Sequence, residues 1–204
     1  MGNLHSVAKA LEQVGASRVT VTHQPDAIRA ADRIVLPGQG AMRECMAAMQ
    51  RHGIDSAVRE LLNQKPLLGI CVGMQALLGH SDENDGVDGL GIHPGQVRFF
   101  GDVPAVRAQH LKVPHMGWNN VRQTRAQGQA HPLWDGIADS ARFYFVHSYY
   151  CVPDDPALSA GECEYGLPFS CAIARDGHFA VQFHPEKSAK DGLRLLHNFL
   201  RWNP

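Results

Sequence analysis

The sequence lacks any excess of charge: 19 lysines and arginines against 20 aspartates and glutamates leave a formal net charge of -1 over 204 residues. That balance supplies no basic field for nucleic acid or for an anionic membrane surface. It also lacks a long apolar run, so no segment approaches the roughly 20 residues of a membrane-spanning helix. Its cysteines (Cys45, Cys71, Cys151, Cys163 and Cys171) form no C-x-x-C pair. Odd in number and scattered, they read as reduced thiols of a cytoplasmic protein, not as a disulfide framework. Histidine is plentiful, yet no H-E-x-x-H motif or clustered Cys/His spacing occurs, so neither a metal nor another cofactor is expected. No repeat, low-complexity tract or linker interrupts the chain, and residues 1–204 read as one domain.

What is present is an alternation of apolar patterns. Leu4, Val7, Ala8, Leu11 and Val14 give an amphipathic first helix ending near Gly15. Val19 to Thr22 reads as a strand, Pro25 to Ala30 as a short helix, and Arg33 to Leu36 as a buried strand closing at Pro37-Gly38-Gln39-Gly40. Met42, Cys45, Met46 and Met49 mark the next helix face, and Ile54, Val58, Leu61 and Leu62 another. Strands and helices at this spacing predict a doubly wound, mostly parallel but mixed sheet flanked by helices. From Gly86 to about Asp139 helical periodicity fades, predicting antiparallel strands and long loops. Arg142 to His147 is strand-like, Arg175-Asp176-Gly177 marks a hairpin between 170–174 and 178–183, and Ser188 is placed to cap a last helix with Leu193, Leu196 and Leu200.

The stretch Gly69-Ile70-Cys71-Val72-Gly73-Met74-Gln75 stands between a continuously apolar strand and a helical pattern. Glycines two residues to either side permit a sharp strand-to-helix turn that lifts the intervening side chain above the sheet edge. Here that side chain is a thiol, and a helix N-terminus favours its thiolate form. Taken alone, the pentapeptide fits a buried small hydrophobe as well as a nucleophile.

Partners lie near the other end of the chain. Phe183-His184-Pro185-Glu186 follows a predicted strand, and in an extended segment Glu186 can reach back to the His184 ring. Cys71, His184 and Glu186 then supply nucleophile, base and orienting carboxylate, the three roles of covalent acyl chemistry. An oxyanion needs donors: the Val72 N–H is one, and the Gly38-Gln39-Gly40 turn can bring a second close.

These segments resemble a family. Gly-Ile-Cys-Val-Gly-Met-Gln, Phe-His-Pro-Glu-Lys-Ser, Pro-Gly-Gln-Gly and His115-Met116-Gly117-Trp118-Asn119 are similar to those of class I (triad) glutamine amidotransferases of flavodoxin-like fold. The likeness extends through Gly2-Asn3-Leu4-His5-Ser6-Val7 and Tyr144-Phe145-Val146-His147-Ser148-Tyr149, and is strongest to glutaminase subunits of imidazole glycerol phosphate synthases. The resemblance implies that Cys71 attacks the side-chain amide of glutamine, His184 protonates the departing ammonia and Glu186 orients His184. It implies that Gly40, Gln75, Glu83, Ser148 and Tyr149 hold the substrate, and that Gly38, Gln39 and Val72 form the oxyanion hole. It further implies a separate (β/α)8-barrel synthase subunit as partner, facing Asn3, Trp118, Tyr144 and Lys187. Members begin with a buried strand and a glycine turn ahead of Gly-Asn-Leu, so about ten residues, one strand of ordinary length, are expected to be absent here. A glutaminase of another pathway, a γ-glutamyl peptidase and a non-catalytic binding subunit are the alternatives.

Overall fold

The computed structural model describes residues 2–38, 40–126 and 129–204, with the side chains of residues 2–3 and 125–126 left aside. The chain opens with helix α1 (Gly2–Gln13), whose Val7, Ala10 and Leu11 are buried where it packs on the last helix. Helix α2 (Pro25–Ala30) follows, then strand β1 (Ile34–Gly38), α3 (Met42–Arg51) and α4 (Ile54–Leu61). The methionine stripe is core: Met42, Met46 and Met49 are all buried. Strand β2 (Leu67–Cys71) is buried at every residue, as expected of a strand covered on both faces, and runs into the one-turn helix α5 (Val72–Gln75).

Short strands β3 (His80–Ser81), β4 (Val87–Asp88) and β5 (Gly95–Phe99) come next, then helix α6 (Pro104–Ala108) and the long strand β6 (His115–Gln123). A small ribbon, β7 (Arg125–Ala126) with β8 (Gln129–Ala130), precedes β9 (Ala141–His147), β10 (Tyr149–Pro153), β11 (Ser159–Glu164), β12 (Pro168–Arg175) and β13 (His178–Val181). Helix α7 (Ala189–Arg201) ends the fold, burying Leu195, Leu196 and Phe199.

The sheet is 11-stranded and mixed, in the order β1-β2-β13-β12-β10-β5-β3-β4, with β11, β6 and β9 branching from β12. Its parallel part is β1-β2-β13 at one end and the short β3-β5 ladder; the later strands pair antiparallel. The register sets Gly38 opposite Cys71 and Val181 opposite Ile70. Three parallel strands thus bring the Pro37-Gly38 turn, Cys71 and the approach to His184 to one carboxyl edge, where open α/β sheets hold their ligands. The hairpin expected at Asp176-Gly177 is present, with Asp176 at φ 50° and Arg175 paired to His178.

Two local expectations are corrected. Val19–Thr22 belongs to no ladder, and Val21 is 59% exposed. Its β-branched alternation is strand-like, yet a strand exists only through a pairing neighbour, and among the described residues it has none. The pattern Met74, Leu77, Leu78 extends past a helix of one turn. The carbonyls of Ala76 and Leu77 accept N–H groups of Leu90, Ile92 and His93, which diverts them from helical bonding.

On its other edge β1 pairs with no described strand, so Ile34 to Leu36 presents open backbone groups at the end of the sheet holding Cys71. A strand-length apolar segment with a glycine turn, joined ahead of Gly2, is therefore expected to raise solubility and thermal midpoint. For a domain of this size each kcal/mol gained raises the midpoint by about 2–4 °C. Equal solubility and equal melting of the two forms in calorimetry would show that the edge needs no cover.

Candidate active site

Cys71 ends β2 with φ 56° and ψ -113°, a conformation that L-residues with a side chain rarely adopt. It is held there by close packing on either side. A Cβ on Gly73 would sit 1.8 Å from the Leu36 carbonyl oxygen, one on Gly38 2.5 Å from the Val72 Cβ, and one on Gly69 2.8 Å from the Ala180 Cβ. The glycines flanking the cysteine serve close approach, while the positive φ falls on the cysteine itself. Such strain costs on the order of 1–3 kcal/mol and persists where surrounding packing over-determines it.

His184 follows β13, and its N–H donates to the Tyr144 carbonyl at 2.9 Å. Its ring Nδ1 lies 2.9 Å from Glu186 Oε1, and both side chains are buried. The geometry comes from a 3-10 turn over Pro185–Lys187, not from an extended run, with His184 itself in the extended conformation. Ser188 fixes this turn. Its hydroxyl donates to the His184 carbonyl at 2.6 Å and accepts the Tyr144 N–H at 3.0 Å, so it is spent on the turn and makes no side-chain cap for α7, contrary to the cap expected from sequence.

Burial works against a charged ring at His184, but hydrogen bonds from the ring to Cys71 and Glu186, and the charges of both partners, outweigh it and raise the pKa to about 9. At neutral pH the imidazole therefore carries its proton, with one N–H directed to Glu186 and the other to the Cys71 sulfur. Glu186 uses Oε1 for this pair, and its buried Oε2 has no partner among the described residues.

A cavity of about 340 Å3 opens over Cys71 and His184. Of the residues expected at the site, Gly38, Gly40, Val72, Gln75, Glu83, Ser148, Tyr149 and Lys187 all line it. Val72 is the first residue of α5, so its N–H has no helical acceptor and is free by position to meet an oxyanion. Glu83 Oε2 accepts the Met42 N–H at 2.7 Å, which anchors the carboxylate at the cavity wall and caps α3. Gln39 lies outside the described residues, as does the side chain of Asn3. Trp118 and Tyr144 are cross-strand neighbours on β6 and β9 with ring centroids 6.1 Å apart, and neither lines the cavity. Trp118 is 44% exposed and Met116, on the same face of β6, 62%.

The residue that sequence reasoning passed over is Gln182. Fully buried, it directs Nε2 to the Cys71 sulfur at 3.6 Å and accepts Gln75 Nε2 on Oε1 at 3.0 Å. A lone amide in the run Phe179-Ala180-Val181-Gln182-Phe183 was the available signal, since a buried polar group must find partners. His147, which also lines the cavity, had a similar signal at the end of its apolar strand.

Comparison with known proteins bears on this geometry. A family model described as glutamine amidotransferase class-I matches residues 1–202. Imidazole glycerol phosphate synthase subunit HisH of Pseudomonas putida is 59% identical over 203 residues, covering 100% of this chain and 94% of the relative. Its counterpart in Acinetobacter baylyi is 57% identical, covering 100% and 95%. Among solved structures, a glutamine amidotransferase superposes with TM-score 0.69 at 16% identity, covering 98% of this chain and 93% of the other. The glutaminase domain of Trypanosoma brucei CTPS with bound acivicin gives 0.64 at 16%, covering 98% and 89%. At such identities these two show the fold alone. With the family model spanning almost every residue and relatives this similar over the whole chain, the chain belongs to the class-I glutamine amidotransferases.

Proposed function

We propose that this chain is the glutaminase subunit of an imidazole glycerol phosphate synthase, hydrolysing glutamine and delivering ammonia within histidine biosynthesis. The observation that carries the chemistry is the buried His184–Glu186 pair hydrogen-bonded to a cysteine at a positive-φ strand end. Likeness to HisH subunits over the whole chain carries the pathway.

In this reading the Cys71 sulfur attacks the side-chain amide carbon of glutamine, and the oxyanion meets the Val72 N–H and a donor from the Gly38–Gly40 turn. His184 gives a proton to the amide nitrogen, the C–N bond breaks, and ammonia leaves a thioester on Cys71. His184, now neutral, takes a proton from water, whose oxygen attacks the thioester carbon; glutamate departs and the protonated ring is restored. Glu186 fixes the ring orientation through both half-reactions. Glu83 and the Ser148–Tyr149 backbone suit the ammonium and carboxylate of the substrate.

The partner is a separate (β/α)8-barrel synthase subunit. The exposed Met116 and Trp118 on β6, with Tyr144 beside them and Lys187 at the cavity rim, form the face proposed to meet it, together with Asn3. An apolar aromatic patch of this kind suits a protein interface. The working compartment is the cytoplasm; among the described residues no helix is long and apolar enough to cross a membrane.

Glutamine hydrolysis measured with and without the barrel subunit and its nucleotide ligand tests this reading. Strong stimulation by the partner is expected. Cleavage of γ-glutamyl peptides without stimulation would make the chain a peptidase, and binding without hydrolysis would make it a scaffold.

A further inference from the structure

Beneath the cavity floor an uncharged chain of side chains runs from β6 to the nucleophile. The Asn120 N–H donates to Asn119 Oδ1 at 2.8 Å, which fixes the orientation of that amide. Asn119 Nδ2 consequently faces His115 Nε2 at 3.3 Å, and also donates to the Glu164 carbonyl at 2.9 Å. His115 Nδ1 lies 2.8 Å from His147 Nε2, and His147 Nδ1 lies 2.8 Å from the Tyr149 carbonyl oxygen. The same carbonyl is approached by Gln75 Nε2 at 3.4 Å, and Gln75 donates onward to Gln182, which donates to the Cys71 sulfur.

Both ends of the histidine pair are thereby decided. An amide nitrogen can only donate and a carbonyl can only accept, so His115 Nε2 and His147 Nε2 must be acceptors and both Nδ1 atoms must carry the proton. A second proton on either ring would set N–H against N–H. Both rings are buried, and His115 lies between Phe145 and Tyr165, with centroids 4.9 and 4.0 Å away and nearly parallel planes. Phe100 meets His147 edge-on at 5.3 Å. The rings are clamped in the orientation the hydrogen bonds need.

We propose that His115 and His147 are positioning residues, which as neutral Nδ1–H tautomers hold the Tyr149 carbonyl, and through Gln75 and Gln182 set the orientation of the Cys71 sulfur and of the backbone that receives glutamine. This rests on the glutaminase reading for its kinetic consequence, though not for its tautomers. The Tyr149 carbonyl is the joint of the system: it follows Ser148 in the cavity wall and ties the cavity lining to the amide that touches the nucleophile.

Nitrogen-15 NMR of the histidine-labelled full chain at pH 7 should show two rings protonated on Nδ1 and not on Nε2. An Nε2–H tautomer or a charged ring at His115 or His147 overturns the relay. In the complex with the barrel subunit, His147→Leu is expected to raise KM for glutamine about 10-fold, the worth of one lost hydrogen bond to a positioned carbonyl. His147→Asn, whose amide can replace the Nδ1 donor, should recover to within about threefold of the parent, again less than one such bond. Equal KM in the Leu, Asn and parent proteins overturns the proposal. Gln182→Met, nearly isosteric but without the N–H, should lower kcat/KM for glutamine in the complex by about 10-fold, the worth of one lost hydrogen bond to the sulfur; an unchanged kcat/KM removes Gln182 from the chain of effect. Should the parent hydrolyse no glutamine at all, the activity reading fails, and the NMR result still decides the tautomers.

Discussion

Cys71→Ala and Cys71→Gly should both abolish glutamine hydrolysis, by at least about 1,000-fold, since without sulfur no thioester forms and only binding and oxyanion donors remain. They should differ in stability. Cys71 sits at φ 56°, ψ -113°, where a Cβ is strained and glycine is not. Both substitutions remove the thiol and its hydrogen bonds, so the comparison between them isolates the Cβ. Cys71→Gly should consequently unfold at higher urea than Cys71→Ala, by about 1 kcal/mol, even though glycine gains more freedom in the unfolded chain. Turnover within a few-fold of the parent in either variant would remove Cys71 from the mechanism, and a glycine variant less stable than the alanine one would show that the elbow stores no strain.

The elbow at Cys71 was legible only in company: two glycines, a fully apolar strand and a helical pattern fit a buried small hydrophobe as well as an elbow, and the His-Pro-Glu run near the other end of the chain tipped the reading. His184 and Glu186 were legible as residue types, but the turn that joins them was not, because Pro185 fits an extended run and a 3-10 turn equally well. The role of Ser188 was misread for a related reason. A serine ahead of a helical pattern suggests a cap, yet its hydroxyl is taken by the His184 carbonyl and the Tyr144 N–H, contacts set by a strand far away in sequence. Val19–Thr22 shows the limit of pattern for strands: alternation states what a segment can do, and pairing decides whether it does so. Gln182 and His147 stood out in sequence as polar residues in apolar runs, but their partners were not legible, because a hydrogen-bond chain through Tyr149 has no sequence spacing of its own.

Acid should destabilise the protein well above the range in which carboxylates titrate. Burial lowers His93, His115 and His131 to about 4 and His147 to about 3, and lowers His178 as well. Between pH 6.5 and about 4 the unfolded chain binds protons at these positions and the native chain does not, so the unfolded state is favoured as pH falls. Their contribution is fully present above pH 6.5 and is lost as the medium reaches their native values. His184 acts with the opposite sign. Raised to about 9 by Cys71 and Glu186 against its burial, it stabilises fully below pH 6.5 and loses that contribution as pH rises through 9. The depressed rings set the acid limb; on the alkaline side the loss of the His184 contribution is joined by Cys151, Cys163 and Cys171, whose thiols burial raises so that they resist ionising in the native state, and the optimum lies near neutrality. Urea midpoints measured at pH 7, 6 and 5 should fall in sequence, and His93→Asn, away from the site, should flatten the fall by one proton's share. A midpoint constant from pH 7 to pH 5 would mean that the buried rings accept protons in the native state, and the neutral tautomers on which the cavity floor depends would go with them.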